Sequence, residues 1–154
     1  MRALDIRVNE SADFPAFAAL NRAWIEAYFE VEPSDAKVLD RPAVIVEQGG
    51  FILTLAVEGN VQGCCALLKN GAQSFELAKM AVAPKAQGQG LSHRLMEAAI
   101  GLATRQGAAH IDLLTSSKLT TALALYEKYN FVRQQGCRHA DYARCDVIMK
   151  RLLA

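Results

Sequence analysis

The run from residue 51 to 82 constrains this chain most. "FILTLAVEG" (51–59), "VQGCCALLK" (61–69) and "QSFELAKMAV" (73–82) are three apolar, β-prone segments in succession. Glu58-Gly59-Asn60 joins the first two and Asn70-Gly71 leads into the third, and both breaks carry residues that tolerate the left-handed backbone of hairpin turns. An antiparallel meander is therefore predicted. Within it the adjacent Cys64 and Cys65 point to opposite faces.

On either side of the meander the pattern alternates between the two periods. "LDIRVNE" (4–10) predicts a first strand with Leu4, Ile6 and Val8 directed inward. Asp13 precedes a helical recurrence of Phe14, Phe17, Leu20, Trp24 and Tyr28. Pro33 and Pro42 punctuate a loop and a short second helix that ends near Gly49-Gly50. After the meander, Leu91, Leu95, Ala98, Ala99 and Leu102 form one apolar helical stripe that stops at Gly107. "HIDLLTS" (110–116) is a strand, "KLTTALALYEKYN" (118–130) a helix with Asn130 at its C-terminal cap, and "FVRQQG" and "CDVIMKRLL" are closing strands. A meander joined to strand–helix–strand crossovers implies one α/β domain over residues 1–154, with a mixed, mostly antiparallel sheet of about seven strands flanked by four helices.

Composition removes several classes of function. The formal charge is +1 with acids and bases interspersed, so no basic field points to nucleic acid. The longest apolar run, Phe51 to Val57 interrupted by Thr54, is far shorter than the roughly 20 residues that cross a bilayer. The opening "MRALDIRVNES" lacks the apolar core of a signal peptide, so a soluble, cytoplasmic protein with no membrane partner is expected. The four cysteines contain no C-x-x-C; Cys137, His139 and Cys145 match no metal-ligand spacing, and no metal is expected.

The stretch "APKAQGQGLSHRLMEAAI" (83–100) puts a flexible turn at the mouth of a helix. Such a turn lets backbone N–H groups face an anion. It is not a phosphate loop, because G-x-x-x-x-G-K-[ST] occurs nowhere, and it is not a dinucleotide fingerprint, because Gly88-x-Gly90 is followed by His93 and lies mid-chain after a meander. A third form remains, a diphosphate cradle of the type Q/R-x-x-G-x-G/A.

"MAVAPKAQGQGLSHRLMEAAI" (80–100), taken with "ALALYEKYNFV" (122–132) and the order of elements, resembles the GNAT superfamily of acetyl-CoA-dependent N-acetyltransferases over nearly the whole chain. The resemblance implies the GNAT (acyl-CoA N-acyltransferase) fold, with acetyl-CoA as donor and an amine as acceptor. Gln87 and Gly90 take the Q and G positions of the cradle, Gly88 and Gln89 the variable ones, and Ser92 stands where Gly or Ala is usual; Leu91 lies between. These residues, 87–92, would hold the pantetheine-diphosphate arm. Met80, Ala81 and Val82 would offer the backbone amides that pair with pantetheine and stabilise the oxyanion. Many members form homodimers, so a homodimer is also implied, although no segment of the sequence marks an interface.

Acetyl transfer needs a neutral amine and a departing thiolate. Neutralising a lysine-like amine at pH 7 costs about 4–5 kcal/mol, an α-amine only about 1–1.5 kcal/mol. In strand period Glu76 shares a face with Ala78, Met80 and Val82, an acid on an otherwise apolar side, provided that no bulge breaks the alternation. Several family members use a glutamate there, four residues before the Met80 position, which makes Glu76 the candidate base; a plain strand-end glutamate is the competing reading. In the family pattern L-Y-x-x-x-G-F, Tyr126 takes the place of the tyrosine that assists the thiolate, with Asn130 in place of the glycine. Tyr126 also lies on the stripe Leu119, Ala122, Leu123, so its ring can pack while its hydroxyl reaches the sulfur. His93 falls on the polar side of its helix and reads as solvated, and "SDAK" (34–37) has none of the partners of an S-x-x-K enzyme.

By resemblance, acceptor specificity lies in residues 13–50 and 133–145. The first region offers Trp24, Tyr28 and Phe29 with Glu26, Glu30, Glu32 and Asp35, a composition suited to a cationic amine; core packing of Trp24 and Tyr28 and simple solvation of the acids are equally direct readings. The implied reaction is direct transfer from acetyl-CoA to a primary amine, whether small molecule, peptide N-terminus or lysine. A catalytically silent acyl-CoA-binding or regulatory module on the same fold is the alternative.

Overall fold

A computed structural model describes residues 3–135 and 144–153. Its centre is one seven-stranded sheet, built from β1 (Leu4–Val8), β2 (Phe51–Val57), β3 (Asn60–Gly71), β4 (Ser74–Val82), β5 (His110–Thr115), β6 (Val132–Gln134) and β7 (Val147–Leu152), in the order β1-β2-β3-β4-β5-β7-β6. Every neighbouring pair is antiparallel except β4 and β5, which run parallel through the crossover helix α4 (Leu91–Arg105). The first hairpin closes as its sequence requires, with Glu58 at φ 53° and Gly59 at φ 83°, both left-handed as in a type I′ turn.

The two faces carry separate cores. On one, α1 (Phe14–Tyr28), α2 (Pro33–Leu39) and α3 (Ala43–Glu47) cover the sheet, and Phe17, Ile25, Leu39 and Ile45 pack on Ile52, Cys64, Ala66 and Ala81. On the other, α4 and α5 (Thr120–Lys128) bury Leu91, Leu95, Met96, Ala99 and Leu123 against Leu53, Leu55, Cys65, Leu67, Leu77 and Leu113. Each fully buried Leu or Phe stabilises by about 1.5–3 kcal/mol, which is why the consecutive apolar residues of β2 and β3 demand cover on both sides. Cys64 and Cys65 lie in different cores, as the strand period predicts.

Three expectations are corrected. Among the described residues five α-helices form rather than four, because the segment before β2 breaks into α2 and α3 at Pro42, which removes an amide and disfavours helical backbone at Arg41. Leu4, Ile6 and Val8 are not inward: they are 39%, 36% and 46% exposed. Their cross-strand partners Val57, Leu55 and Leu53 are buried beneath α4, whereas β1 is the outermost strand. β4 does not alternate along its whole length. Cys64 pairs with Ala81 and Ala66 with Ala78, so two steps along β3 match three along β4, and Lys79 takes up the extra residue at φ 57°. Past this bulge the parity reverses. Glu76 and Ala78 face the α1 side opposite Leu68 and Ala66, while Met80 and Val82 pack on the α4 side; the four do not share a face.

Candidate active site

The parallel ladder between β4 and β5 runs only from Ser74/His110 to Leu77/Leu113. Beyond it β4 continues to Val82 and β5 to Thr115 without pairing, so the sheet opens into a wedge. A cavity of about 1090 Å³ occupies it, and its lining comes from both faces: Asn21, Trp24 and Tyr28 of α1 on one side, Tyr126 of α5 and the Gln87–His93 turn on the other. The cavity therefore passes through the plane of the sheet where the strands part.

At its α4 end, the turn is held open. Gly88 and Gly90 have φ of 79° and 78°, and a Cβ at either would meet nothing within 4 Å. Gly90 is the N-cap of α4 and has no side chain with which to cap it. The backbone N–H groups of Leu91, Ser92 and His93 consequently keep the unpaired character of a helix start, with its partial positive charge. Gln87 ties the turn to the end of β4 through its Nε2 donating to the Val82 carbonyl at 3.4 Å. Met80, Ala81, Val82, Gln87, Gly88, Gly90, Leu91 and Ser92 all line the cavity. Gln89 is not among the lining residues; its Nε2 donates to the Lys85 carbonyl at 3.5 Å. His93 is not simply solvated: its Nδ1 lies 3.1 Å from the Tyr129 hydroxyl, on the rim.

Glu76 and Tyr126 both reach the cavity, the first from the α1 face of β4 and the second from α5. Tyr126 stacks edge-on to Phe131 with ring centroids 6.2 Å apart. Burial, with lesser contributions from the Cys65 and Cys145 thiols, pushes its phenol up to about 12. Asn130 takes φ 71° and the Phe131 amide donates back to the Tyr126 carbonyl at 3.1 Å, the left-handed helix end expected at that residue.

Sequence reasoning missed the polar frame on the acceptor side. The sequence offers Asp35 either as a carboxylate for a cationic amine or as a solvated acid, yet it is fully buried at the start of α2. Its carboxylate accepts two hydrogen bonds from Arg144, both at 2.7 Å, one from Lys79 Nζ at 2.6 Å and one from the Glu32 amide at 3.0 Å. Burial alone would raise its pKa, but these donors outweigh burial and lower it to about 2. Asn21, also buried, donates through Nδ2 to the Phe17 carbonyl at 3.0 Å and the Cys64 sulfur at 3.4 Å, and Cys64 donates in turn to the Lys79 carbonyl at 3.7 Å. The bulge is thus gripped by its side chain and its backbone. Cys145 lines the same space, its thiol raised to about 11, mainly by burial. Trp24, half-buried, tilts against Tyr28 and Phe29 at 5.3 and 6.1 Å; Tyr28 is 57% exposed, so it lines the cavity mouth and is not core. A helical stripe cannot distinguish a cavity wall from a core, and an acid's neighbours distant in sequence leave no local trace. Of the cysteine–histidine set weighed as a metal site, Cys137 and His139 lie outside the described residues. Among the described residues no group of three or more His, Cys, Asp or Glu could hold a metal ion, and no helix is long and apolar enough to cross a membrane.

Residues 17–131 match the family model described as the acetyltransferase (GNAT) family. Solved structures of similar fold include an acetyltransferase of the GNAT family from Staphylococcus aureus Mu50, with a TM-score of 0.85 at 16% identity, covering 99% of this chain and 100% of that one. Another is yncA from Salmonella typhimurium, solved with its cofactor acetyl-CoA, with a TM-score of 0.79 at 18% identity over 99% of this chain and 95% of that one. A third is a spermidine N-acetyltransferase SpeG chimera from Vibrio cholerae and hSSAT, with a TM-score of 0.78 at 21% identity over 97% of this chain and 95% of that one. At these identities the likeness is one of fold. No curated protein matches the chain by sequence.

Proposed function

Because this chain belongs to the GNAT family of acetyltransferases and is an acyltransferase, we propose that it carries the acetyl group of acetyl-CoA directly to a primary amine, with no covalent enzyme intermediate. The observation that carries this reading is the wedge after Leu77/Leu113, which joins the open Gly88–Gly90 turn on one face to Glu76 and the α1 aromatics on the other. The residues fit a diphosphate arm: two left-handed glycines leave clear space, and an uncapped helix start presents amides and positive potential. Lys118 and Lys128 on the lining add charge of the same sign. When bound, acetyl-CoA supplies an acetyl group already activated as a thioester.

Each remaining task falls to a residue of this chain. Past the wedge, β4 has lost its β5 partner, so amides in the Met80–Val82 segment that turn away from β3 are available to pantetheine and to the reacting carbonyl oxygen. Glu76 accepts the proton that the amine must shed. Tyr126, with its phenol near 12, stays protonated and directs its hydroxyl at the sulfur. A coenzyme A thiol is about as acidic as cysteine, with a pKa of about 8.5, so full transfer of a proton from a phenol that burial has raised is uphill. Tyr126 therefore serves as a hydrogen-bond donor to the departing thiolate rather than as its source of a proton. The acceptor side pairs Trp24, Tyr28 and Phe29 with the carboxylate of Glu76, which suits a small-molecule amine, a peptide N-terminus or a lysine.

The test is thiol release from acetyl-CoA over a panel of polyamines, peptides with free N-termini and lysine-containing peptides, alongside thermal shifts with coenzyme A, NAD and ATP. Stabilisation by coenzyme A alone and amine-dependent thiol release are expected. Stabilisation without release on any amine would instead make this a silent acyl-CoA-binding module, and stabilisation by none of the three would overturn the assignment of the turn.

A further inference from the structure

The outer edge of the sheet carries a pairing code of its own. Among the described residues β1 pairs with no strand but β2, and its register with β2 is unbroken from Leu4 to Val8. The Glu58 amide donates to the Ala3 carbonyl at 2.9 Å and the Asn9 amide to the Ile52 carbonyl at 2.8 Å. Because hydrogen-bonded positions alternate in an antiparallel ladder, Ala3, Asp5, Arg7 and Asn9 turn their backbone groups towards β2. Leu4, Ile6 and Val8 then turn theirs to the open edge. The same three residues hold their side chains exposed on the α4 face. Natural sheets guard such edges with Pro, charged side chains or a bulge; the strand L-D-I-R-V has neither Pro nor bulge, and its two charges, Asp5 and Arg7, are of opposite sign.

That strand is complementary to itself when reversed. We propose that β1 pairs antiparallel with β1 of a second copy about a two-fold axis at Ile6, which continues the sheet across a homodimer. In this register Ile6 meets Ile6 and Leu4 meets Val8 of the other copy, all through outward-facing amides and carbonyls. Asp5 then stands directly opposite Arg7 of the other copy on the α1 face, so the Asp5–Arg7 pair that each chain already makes at 3.1 Å, with Arg7 also on Asp13, joins its copy in one network of alternating sign. The alternatives place like charges or nothing in those positions: a dyad at Asp5 or Arg7 sets a residue against its own charge, and a parallel in-register pair sets both. A dyad at Leu4 or Val8 leaves Asp5 and Arg7 without opposite partners. Charge complementarity therefore selects a second copy of this chain, in one register. The isologous pairing also covers the apolar row, because Leu4, Ile6 and Val8 of both copies come together on one face.

Sedimentation velocity over a concentration series tests this on the full chain. The wild type is expected to approach twice the chain mass. Ile6→Pro deletes an amide that faces outward in the monomer and should leave a folded monomer, as judged by circular dichroism and an unchanged thermal shift with coenzyme A. Asp5→Arg should also be monomeric, and mixing it with folded Arg7→Asp should restore the dimer mass through one basic and one acidic strand. A wild type that stays monomeric throughout, a dimer that survives both Ile6→Pro and Asp5→Arg, or a folded charge-swapped pair that does not associate would each overturn the proposal. If Arg7→Asp does not fold, because it sets an acid beside the buried Asp13, the Ile6→Pro and Asp5→Arg results decide the matter.

Discussion

Lys79 and Asp35 are joined by a 2.6 Å ion pair that fastens a left-handed residue in the middle of β4 to the first turn of α2. A non-glycine residue in that conformation costs about 1–2 kcal/mol, and here a wholly buried carboxylate offsets the cost. The pair does more than offset strain. It fixes which face of β4 each residue beyond the bulge presents, and so where Glu76 stands relative to Met80 and Val82 at the wedge.

Asp35→Asn should therefore destabilise the protein by about 3 kcal/mol, since it leaves Lys79 and Arg144 without the buried charge that they share. The pH dependence gives a second reading of the same residue. Its folded pKa of about 2 is below its unfolded value of 3.8, so its contribution is fully present above the unfolded value and is lost as pH falls towards 2. That contribution is about 2 kcal/mol. Urea melts between pH 5 and pH 2 should show this loss in the wild type and lack it in Asp35→Asn. Parallel curves for the two proteins would remove Asp35 from the account.

Tyr126→Phe removes only the hydroxyl, and the ring contact with Phe131 remains. Turnover should fall by tens- to a thousand-fold, on the order expected for the loss of one hydrogen bond to developing negative charge, with little change in stability or in coenzyme A affinity. Steady-state kinetics with the best amine of the panel measures it. An unchanged turnover would leave Tyr126 as packing alone.

Much of this arrangement is legible in the sequence because it is local. Cys64 and Cys65 reveal a sheet with two buried faces, and Asn130 marks a left-handed helix end three residues from Glu127, whose carbonyl its amide bonds. What the sequence hides is either parity or distance. A lysine at φ 57° leaves no trace like that of a glycine, so the bulge at Lys79 is silent and the face of Met80 is misread. Asp35 and Arg144 are 109 residues apart, and nothing near either one signals the other. Alternation along β1 identifies an apolar face correctly but cannot tell whether a helix covers it.

Glu76→Gln keeps the shape of the side chain and removes its capacity to accept a proton. With an alkyl-amine acceptor, kcat/KM should drop by about 100- to 1000-fold, and the rate should follow the amine's own ionisation upward with pH. With an acceptor whose pKa is near 8, the loss should be smaller, because less proton removal is required of the protein. A pH–rate profile identical to that of the wild type would leave the base unassigned.

Burial also sets the alkaline limit of the fold. Tyr126, Cys64 and Cys145 are pushed up to about 12, 12 and 11 from ordinary values of 10, 9 and 9, and burial raises Cys65 as well. A raised folded value means stability that is complete below the unfolded pKa and lost as pH climbs through the folded one. Denaturant melts should therefore hold steady to about pH 8.5 and weaken progressively between pH 9 and 12. Cys64→Ala should soften this decline by removing one of the groups, and a melting curve insensitive to pH across that window would contradict the burial of these groups.

Gly90→Ala separates the turn's backbone from its ligand. A Cβ there meets nothing within 4 Å, so the substitution collides with no neighbour and acts only through φ at 78°. It should cost about 1–2 kcal/mol of stability, and a turn that relaxes out of the left-handed region should no longer present its amides together, so coenzyme A affinity should fall at least ten-fold. Gly59→Ala is the matched control. It too sits at positive φ, 83°, with nothing within 4 Å, but in the β2–β3 hairpin away from the cavity lining. The two variants should lose similar stability in chemical denaturation, while only Gly90→Ala weakens coenzyme A binding by calorimetry. Equal loss of affinity in both would trace the effect to general destabilisation, and no loss in either would mean that the diphosphate is held by groups other than these amides.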